Sequence, residues 1–326
     1  MLRLRSTPPG SKEHAATLSR SPPWLHDTIK GLRATKYLQL LILPGLIFYI
    51  IFHYVPMYGV VIAFKQYNGR LGILGSPWIG FEHFVDFFNY PYFWRLLRNT
   101  FLLSFYSLLW GFPAPIVLAI ILTEVRNSLY RRIVQTVSYL PHFLSVVIIV
   151  GMLTLFLSPS NGFINILLNR IFGIEPIYFL ADPRWFRTVF VASNIWQNIG
   201  WGAIIYLAAL SRVDAQLYEA ATIDGASRVR QIWHISIPSI MPTMIILLIL
   251  RMGGLLSVGF EKVLLMYNPA VYETADVIST FVYRRGLLHA EFSFGAAVGL
   301  FNSIINLILL LSANWVSRRV SETSLW

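Results

Sequence analysis

Residues 38–64 read LQLLILPGLIFYIIFHYVPMYGVVIAF, a run with no Asp, Glu, Lys or Arg. An α-helix rises about 1.5 Å per residue, so roughly 20 such residues cross the ~30 Å hydrocarbon layer of a bilayer. Five more apolar stretches follow, near 96–122, 133–157, 188–210, 239–260 and 292–316. The longer ones must tilt, kink or protrude, and Pro113, Pro115 and Pro141 are the expected kink points. This pattern predicts an all-α integral membrane protein with six transmembrane helices.

Composition supports the same reading. Of 326 residues, 56% are hydrophobic and 13% charged, and the mean hydropathy is +0.61; a soluble domain carries about 25% charged residues. The chain has no cysteine, which excludes a disulfide, a thiol nucleophile or a thiolate metal site. The net charge of +11 is spread beside apolar runs, unlike the clustered basic surface of a nucleic-acid binder.

The first 36 residues hold seven Lys/Arg, with Pro8-Pro9-Gly10 and Pro22-Pro23 breaking any early helix. No apolar h-region follows Arg3 and Arg5, so a cleaved signal peptide is not expected. Leu25, Ile29 and Leu32 share one helical face, which suits either a short interfacial helix or a mobile basic tail. The expected organisation is a tail over 1–36, a membrane domain over 37–316 that includes an inner loop at 211–238, and a second tail over 317–326.

Lys/Arg bias sets orientation. With the N-terminus inside, fifteen Lys/Arg fall on inner segments and ten on outer ones, with Arg251 left inside a span. Both termini are therefore expected in the cytoplasm. The outer segments near 65–95, 158–187 and 261–291, counted with Arg98 at the start of the second stretch, carry ten Lys/Arg against eight Asp/Glu, a balance too even to select an acidic substrate. Trp78, Trp94 and Trp185 there suit interfacial anchoring, or an external rim that touches another molecule.

Motifs for chemistry are missing. No Gly-x-x-x-x-Gly-Lys-Ser/Thr loop, His-Glu-x-x-His, Gly-x-Ser-x-Gly elbow or metal-spaced His and carboxylate cluster occurs. The chain is expected to be no enzyme, with no cofactor or metal of its own. None of the six stretches has an interior Asp or Glu, although Glu124, Glu261 and Glu291 sit just beyond stretch ends. An ion-coupled carrier ordinarily needs such a carboxylate in the membrane, so that alternative is weakened.

The inner loop between the fourth and fifth stretches runs Asp214-Ala-Gln-Leu-Tyr-Glu219-Ala220-Ala221-Thr-Ile-Asp224-Gly225-Ala226, then Ile235-Ser-Ile237-Pro238. Asp214 is placed to cap a helix over 215–223, and Gly225 to supply the positive φ that reverses the chain into a second helix. Ala220 and Ala221 leave a low surface for another protein, and Glu219 offers a charge to a partner's arginine. The loop resembles the EAA loop of binding-protein-dependent ABC importer permeases, departing from the family pattern only with Ile237 in place of Leu.

The resemblance covers roughly 38–320. Trp78-Ile-Gly-Phe-Glu-His-Phe84, Arg98-Asn99-Thr100, Arg251-Met-Gly253-Gly254, Tyr267-Asn-Pro269 and the stretch Asp276 to Gly286 are similar to the branch of carbohydrate importers handling oligo- and polysaccharides, alginate importers among them. The resemblance implies a type I, maltose-importer-like permease in a bacterial inner membrane, paired with a second homologous permease. It also implies two ATPase subunits that bind ATP and Mg, an external or periplasmic solute-binding protein, and alternating access. Asp214, Glu219, Ala220, Ala221, Asp224, Gly225, Ile235 and Pro238 are then the ATPase-coupling residues.

Polar residues inside the stretches mark the candidate substrate pathway. Arg251 near mid-span costs at least about 2.5–3.5 kcal/mol in lipid, so it must face protein or water. It can contact a sugar or hold a neighbouring helix. Asn194, Gln197 and Asn198 lie on successive turns beside Trp196 and Trp201, and Asn302 and Asn306 share such a spacing on the sixth stretch. Both a sugar path and interhelical amide bonds explain them.

Overall fold

The structure, a computed structural model, describes residues 35–320; the basic tail and the stretch around Leu25, Ile29 and Leu32 lie outside them. The chain divides into two units, residues 1–60 and 61–326. The described part of the first is an apolar helical run: α1 (Lys36–Tyr49), a π turn at Ile50–Tyr54, and a short helix, Val55–Met57. Pro44 inside α1 and Pro56 each remove a backbone N–H, and the wider turn lies between them.

The second unit is helical. Its main elements are α2 (Phe93–Gly111), α3 (Pro113–Glu124), α4 (Ser128–Tyr139), α5 (Val146–Phe156), α6 (Phe163–Phe172), α7 (Pro183–Leu210), α8 (Ala215–Ile223), α9 (Ile237–Met252), α10 (Phe260–Met266) and α11 (Phe292–Val320). Among the described residues four helical runs are long and apolar enough to cross a bilayer: Lys36–Phe64, Phe93–Glu124, Arg228–Met252 and Phe292–Arg319.

Two expected spans take a different form. The stretch 133–157 is a bent pair, Ser128–Phe143 and Val146–Phe156, meeting at 105°. Pro141 sits in the 3-10 turn at the corner, and the Ser145 hydroxyl accepts from the Ile148 N–H to start α5. The two pieces count as a fifth span only if taken together. The stretch 188–210 lies in α7, whose 28 residues reach about 42 Å. Its arginines and amides dilute its hydropathy below that of a lipid-exposed span.

That helix is the centre of the unit. Phe186, Val189, Phe190 and Val191 join Leu103, Val150, Val258 and Val263 in one apolar cluster. Ala203, Tyr206 and Leu210 join Ile116, Ala119 and Ile240 in another. Gly200 permits the approach of α4, since a Cβ there would run into the carbonyl of Ser138. A small residue where two helices meet is how membrane bundles bring backbones together.

At the α2 start, the loop over 267–285 is pinned by a buried carboxylate. Asp276 is 2% exposed and pairs with Arg284 at 2.8 Å and with Arg95 at 3.8 Å. Thr280 Oγ donates to the same carboxylate at 3.1 Å. Asn99 Nδ2 donates to the carbonyls of Glu273 and Asp276, while the Ile278 N–H donates to Thr100 Oγ. Burial works to lower the Arg284 pKa, but hydrogen bonds to Asp276 and Tyr267 outweigh it and leave the value raised. Asp276→Ala strands two arginines and should lose about 3 kcal/mol, the low end for breaking a buried pair from one side. Thermal unfolding of the purified protein in detergent checks this, and an unchanged midpoint would show that the carboxylate does not hold the loop.

Candidate functional site: a polar passage and a helical knuckle

One face of α7 carries Arg187, Val191, Asn194, Asn198 and Trp201, spaced alternately by four and three residues, which is a single stripe on a helix. The stripe faces α2, α3 and α9 across linked cavities. The first, about 470 Å³, lies between Tyr106 and Trp110 of α2 and Arg184, Arg187 and Thr188 of α7. The second, about 270 Å³, shares Val191 and Ile195 with it and adds Ser107, Gly111, Asn194, Asn198, Trp201 and Arg251. The third, about 150 Å³, shares Ser107, Asn194 and Arg251 with the second and reaches Ser104 and Gly259. No carboxylate lines any of the three.

The break between α2 and α3 explains where Arg251 goes. Proline lacks an N–H, so Pro115 cannot serve the Gly111 carbonyl four residues back. Arg251 Nη1 donates to that oxygen at 3.4 Å, and Nη2 to the Ser107 carbonyl at 3.2 Å. The guanidinium has five N–H donors, so two carbonyls leave it with spare ones inside the cavities it lines. Of the two expectations for Arg251, the bond to a neighbouring helix is the one these contacts describe.

The amides separate into two groups. Asn194 Oδ1 accepts from Lys262 Nζ at 3.1 Å. Asn198 Nδ2 donates to the Asn194 carbonyl, and its Oδ1 lies 3.0 Å from His142 Nδ1. The His142 ring in turn stacks on Trp201, with centroids 4.6 Å apart and planes within 5°. Gln197, by contrast, is buried and reaches only the Leu144 carbonyl, at 3.5 Å. Asn306 is buried, accepting from the Leu256 N–H and donating to Ser257 Oγ. Asn302 lines none of these cavities, and its Oδ1 is buried without a partner.

Three contributors were not singled out from sequence: Arg187, Ser107 and Lys262. Arg187 Nη2 donates to Asn99 Oδ1 at 2.9 Å, which ties the passage to the Asp276 loop. Its position on the α7 stripe was the available signal. Ser104 and Ser107 hydroxyls are buried without partners beside the cavities.

At the other end of α7 stands the knuckle. Asp214 caps α8 by accepting from the Gln216 N–H at 2.9 Å. Gly225 has φ +74°, and Ala226 N–H donates to the Ala221 carbonyl while Gly225 N–H donates to Thr222. Those two bonds are the paired closure of a Schellman turn. Ser227 then caps Arg228–Gln231, and a π turn over Ile232–Ser236 leads into α9, with Pro238 in its first turn. Tyr218 to Ser236, at 2.9 Å, and Gln231 to Thr222, at 3.0 Å, brace the two limbs.

The outer surface of the knuckle is unoccupied chemistry. Glu219, Ala220 and Asp224 are exposed, and Glu219 makes no ion pair among the described residues. Ile223 is 86% exposed, with Leu217, Val229 and Trp233 also exposed. These apolar side chains had gone unremarked in the sequence, because a lone Leu or Ile in a connector carries no periodic signal.

Residues 111–322 match the family described as binding-protein-dependent transport system inner membrane component. Protein LplB of Bacillus subtilis (strain 168) is 46% identical over 296 residues, covering 91% of this chain and 93% of that protein. The polygalacturonan/rhamnogalacturonan transport system permease protein YteP of the same organism is 46% identical over 291 residues, covering 89% and 90%. Among solved structures, a bacterial ABC transporter involved in the import of the acidic polysaccharide alginate matches with a TM-score of 0.83 and 46% identity, covering 90% of this chain and 99% of that one. A bacterial alginate ABC transporter in complex with an alginate pentasaccharide-bound periplasmic protein matches at 0.84 and 45%, covering 91% and 99%.

The two groups of amides differ in a measurable way. The chain lacks cysteine, so single cysteines can be introduced without background. Cysteine at Asn198, Ser107 or Arg251 should react with a small water-soluble thiol reagent, and cysteine at Gln197 or Asn306 should not. Equal reactivity at all five positions would dissolve the distinction between passage and packing.

Proposed function

Because the chain belongs to the family of binding-protein-dependent inner membrane transport components, we propose that it forms the path by which an acidic oligo- or polysaccharide enters the cell. It is the transmembrane permease of a binding-protein-dependent ABC importer of sugars and polysaccharides. The observation that carries the acidic class is the lining of the three linked cavities, where Arg187 and Arg251 stand with no carboxylate among the lining residues, while Arg184 is already paired with Asp182 at 2.8 Å. Relatives named for polygalacturonan/rhamnogalacturonan and for alginate, both carboxylated polymers, support the same class. An ion-coupled carrier is not favoured by this membership.

The remaining parts of the machine are inferred. Asn194, Asn198 and Arg251 contact the sugar, while Gln197, Asn302 and Asn306 act in helix packing beside it. Two ATPase subunits bind ATP and Mg, and one of them grips residues 211–238 through Glu219, the low surface at Ala220 and Ala221, and the exposed Ile223. A second homologous permease completes the passage, and an external binding protein delivers the sugar at the Pro183 end of α7. The knuckle, the 1–36 tail and the 317–326 tail lie in the cytoplasm of a bacterium, with the membrane domain, 37–316, in the inner membrane.

Coupling follows from connectivity. α7 runs into α8 through Ser211–Asp214, and the second limb of the knuckle runs into α9. The two helices that bear Asn194, Asn198 and Arg251 therefore leave the same knuckle. A displacement imposed there by the ATPases changes the angle between them, and with it the width of the passage.

Two measurements test this reading. In proteoliposomes holding the complete complex, an alginate oligosaccharide should stimulate ATP hydrolysis and be taken up, and a neutral oligosaccharide of equal length should do neither. Equal handling of both would remove the acidic class. Gly225→Val places a branched side chain at positive φ, costing about 1–2 kcal/mol and opening the Schellman turn. It should leave a membrane-inserted permease that binds the ATPase poorly or hydrolyses ATP without uptake. Glu219→Ala should weaken assembly less, by about 0–1 kcal/mol. Wild-type uptake by the Gly225 variant would show that this loop does not couple.

A further inference from the structure

Lys262 stands out as a buried charge. It is 3% exposed and lies in the first turn of α10, directly behind the passage. Its Nζ donates to Asn194 Oδ1 at 3.1 Å and sits 5.8 Å from the centre of the Phe190 ring. No carboxylate lies within ion-pair distance of it among the described residues. A leucine there would avoid the cost of burying an ammonium with incomplete partners. The lysine has to do something a leucine cannot.

An ammonium has three donors and no acceptor. Asn194 therefore has one stable orientation, Oδ1 towards Lys262, because the flipped amide would set two N–H donors against three. Nδ2 is then turned away, and it has no partner among the described residues although Asn194 lines the second and third cavities. The other groups around it can each donate. Arg251 can only donate, and it already occupies the carbonyls of Ser107 and Gly111. The Ser104 and Ser107 hydroxyls are unpartnered and free to donate.

The geometry points to Lys262 as a positioning residue that holds Asn194 donor-side to the passage, and so makes this part of the path selective for carboxylate-bearing sugars. The inference rests on the acidic-sugar reading above and names the element that enforces it. Carboxylates only accept, so a wall rich in donors, with the Asn194 amide held donor-side, suits them. A freely turning amide would serve a neutral hydroxyl or ester equally well.

The test compares an alginate oligosaccharide with its methyl ester in proteoliposomes holding the full complex and binding protein. Each variant is scored against wild type for each substrate, so the binding protein's own preference cancels. Asn194→Asp keeps the volume and the contact to Lys262 but replaces the donor with a carboxylate oxygen. A carboxylate there also repels an acidic sugar by charge alone, so Lys262→Gln, which can still donate to Asn194 Oδ1 without a charge, is scored beside it and should keep the wild-type ratio. The expected result for Asn194→Asp is a fall of at least about tenfold in the acid-to-ester ratio of kcat/KM, the scale of one hydrogen bond to a charged group.

Lys262→Met, which removes the clamp and leaves Asn194 intact, should lower the same ratio, and Lys262→Arg should restore it. Where Asn194→Asp fails to assemble, the Lys262 pair decides. A wild-type ratio in both Asn194→Asp and Lys262→Met, or an equal loss of both substrates in assembled complexes, overturns the inference and leaves the acidic reading in place. A wild-type complex without preference between acid and ester removes that reading, and the inference with it.

Discussion

Hydrocarbon cannot hydrogen-bond, and every polar group that enters it must be satisfied by protein or by water in a cavity. α7 brings an arginine and three amides into the bundle, and the surrounding elements are arranged around that constraint. Asn99 receives Arg187, Lys262 fixes Asn194, His142 meets Asn198, and the Leu144 carbonyl takes Gln197. Arg251, from the neighbouring α9, donates to the Gly111 carbonyl that Pro115 leaves open and to the carbonyl of Ser107. A helix this polar is stable at the centre of the unit and would not be at its rim.

The same constraint explains why α2 and α3 are two helices. A straight apolar helix would satisfy its own carbonyls and offer Arg251 nothing. Pro113 starts α3 and Pro115 frees the Gly111 oxygen, so the break becomes the docking point for a charge. A Cβ on Gly111 would stand 3.1 Å from Arg251 Nη2, so the guanidinium would have to give by a few tenths of an ångström. Sequence features 140 residues apart thus form one local arrangement.

Local rules made much of this legible in advance. The apolar runs announced membrane helices, Asp214 and Gly225 announced the cap and turn that close α8, and the cost of Arg251 in lipid placed it inward. What could not be read was pairing. Helical period assigns Asn194, Gln197 and Asn198 to neighbouring positions, but it does not say that Gln197 meets a carbonyl from the corner before α5 while Asn194 meets a lysine 68 residues on. The corner itself was read as a kink in one span, because a proline near a helix start gives no angle, and 105° is set by what packs on both sides. Arg187 was counted only as an outer charge. Its role depends on Asn99 and the Asp276 loop, which the chain reaches 88 and 89 residues away.

The arrangement of α7 bears on how a signal at one end reaches the other. The helix is unbroken over its 28 residues, so it moves as a rod. A tilt of about 5° at the knuckle displaces the Arg187 end by about 3 Å over the roughly 36 Å between them. That is the length of the bond from Arg187 to Asn99, 2.9 Å, and hydrogen bonds do not survive such a stretch. A tilt of α7 relative to α2 by that amount would break the link between the cavities and the Asp276 loop. A single long helix, loaded with polar groups that each need a partner, would turn a small angular change at the knuckle into a change of partners at its far end.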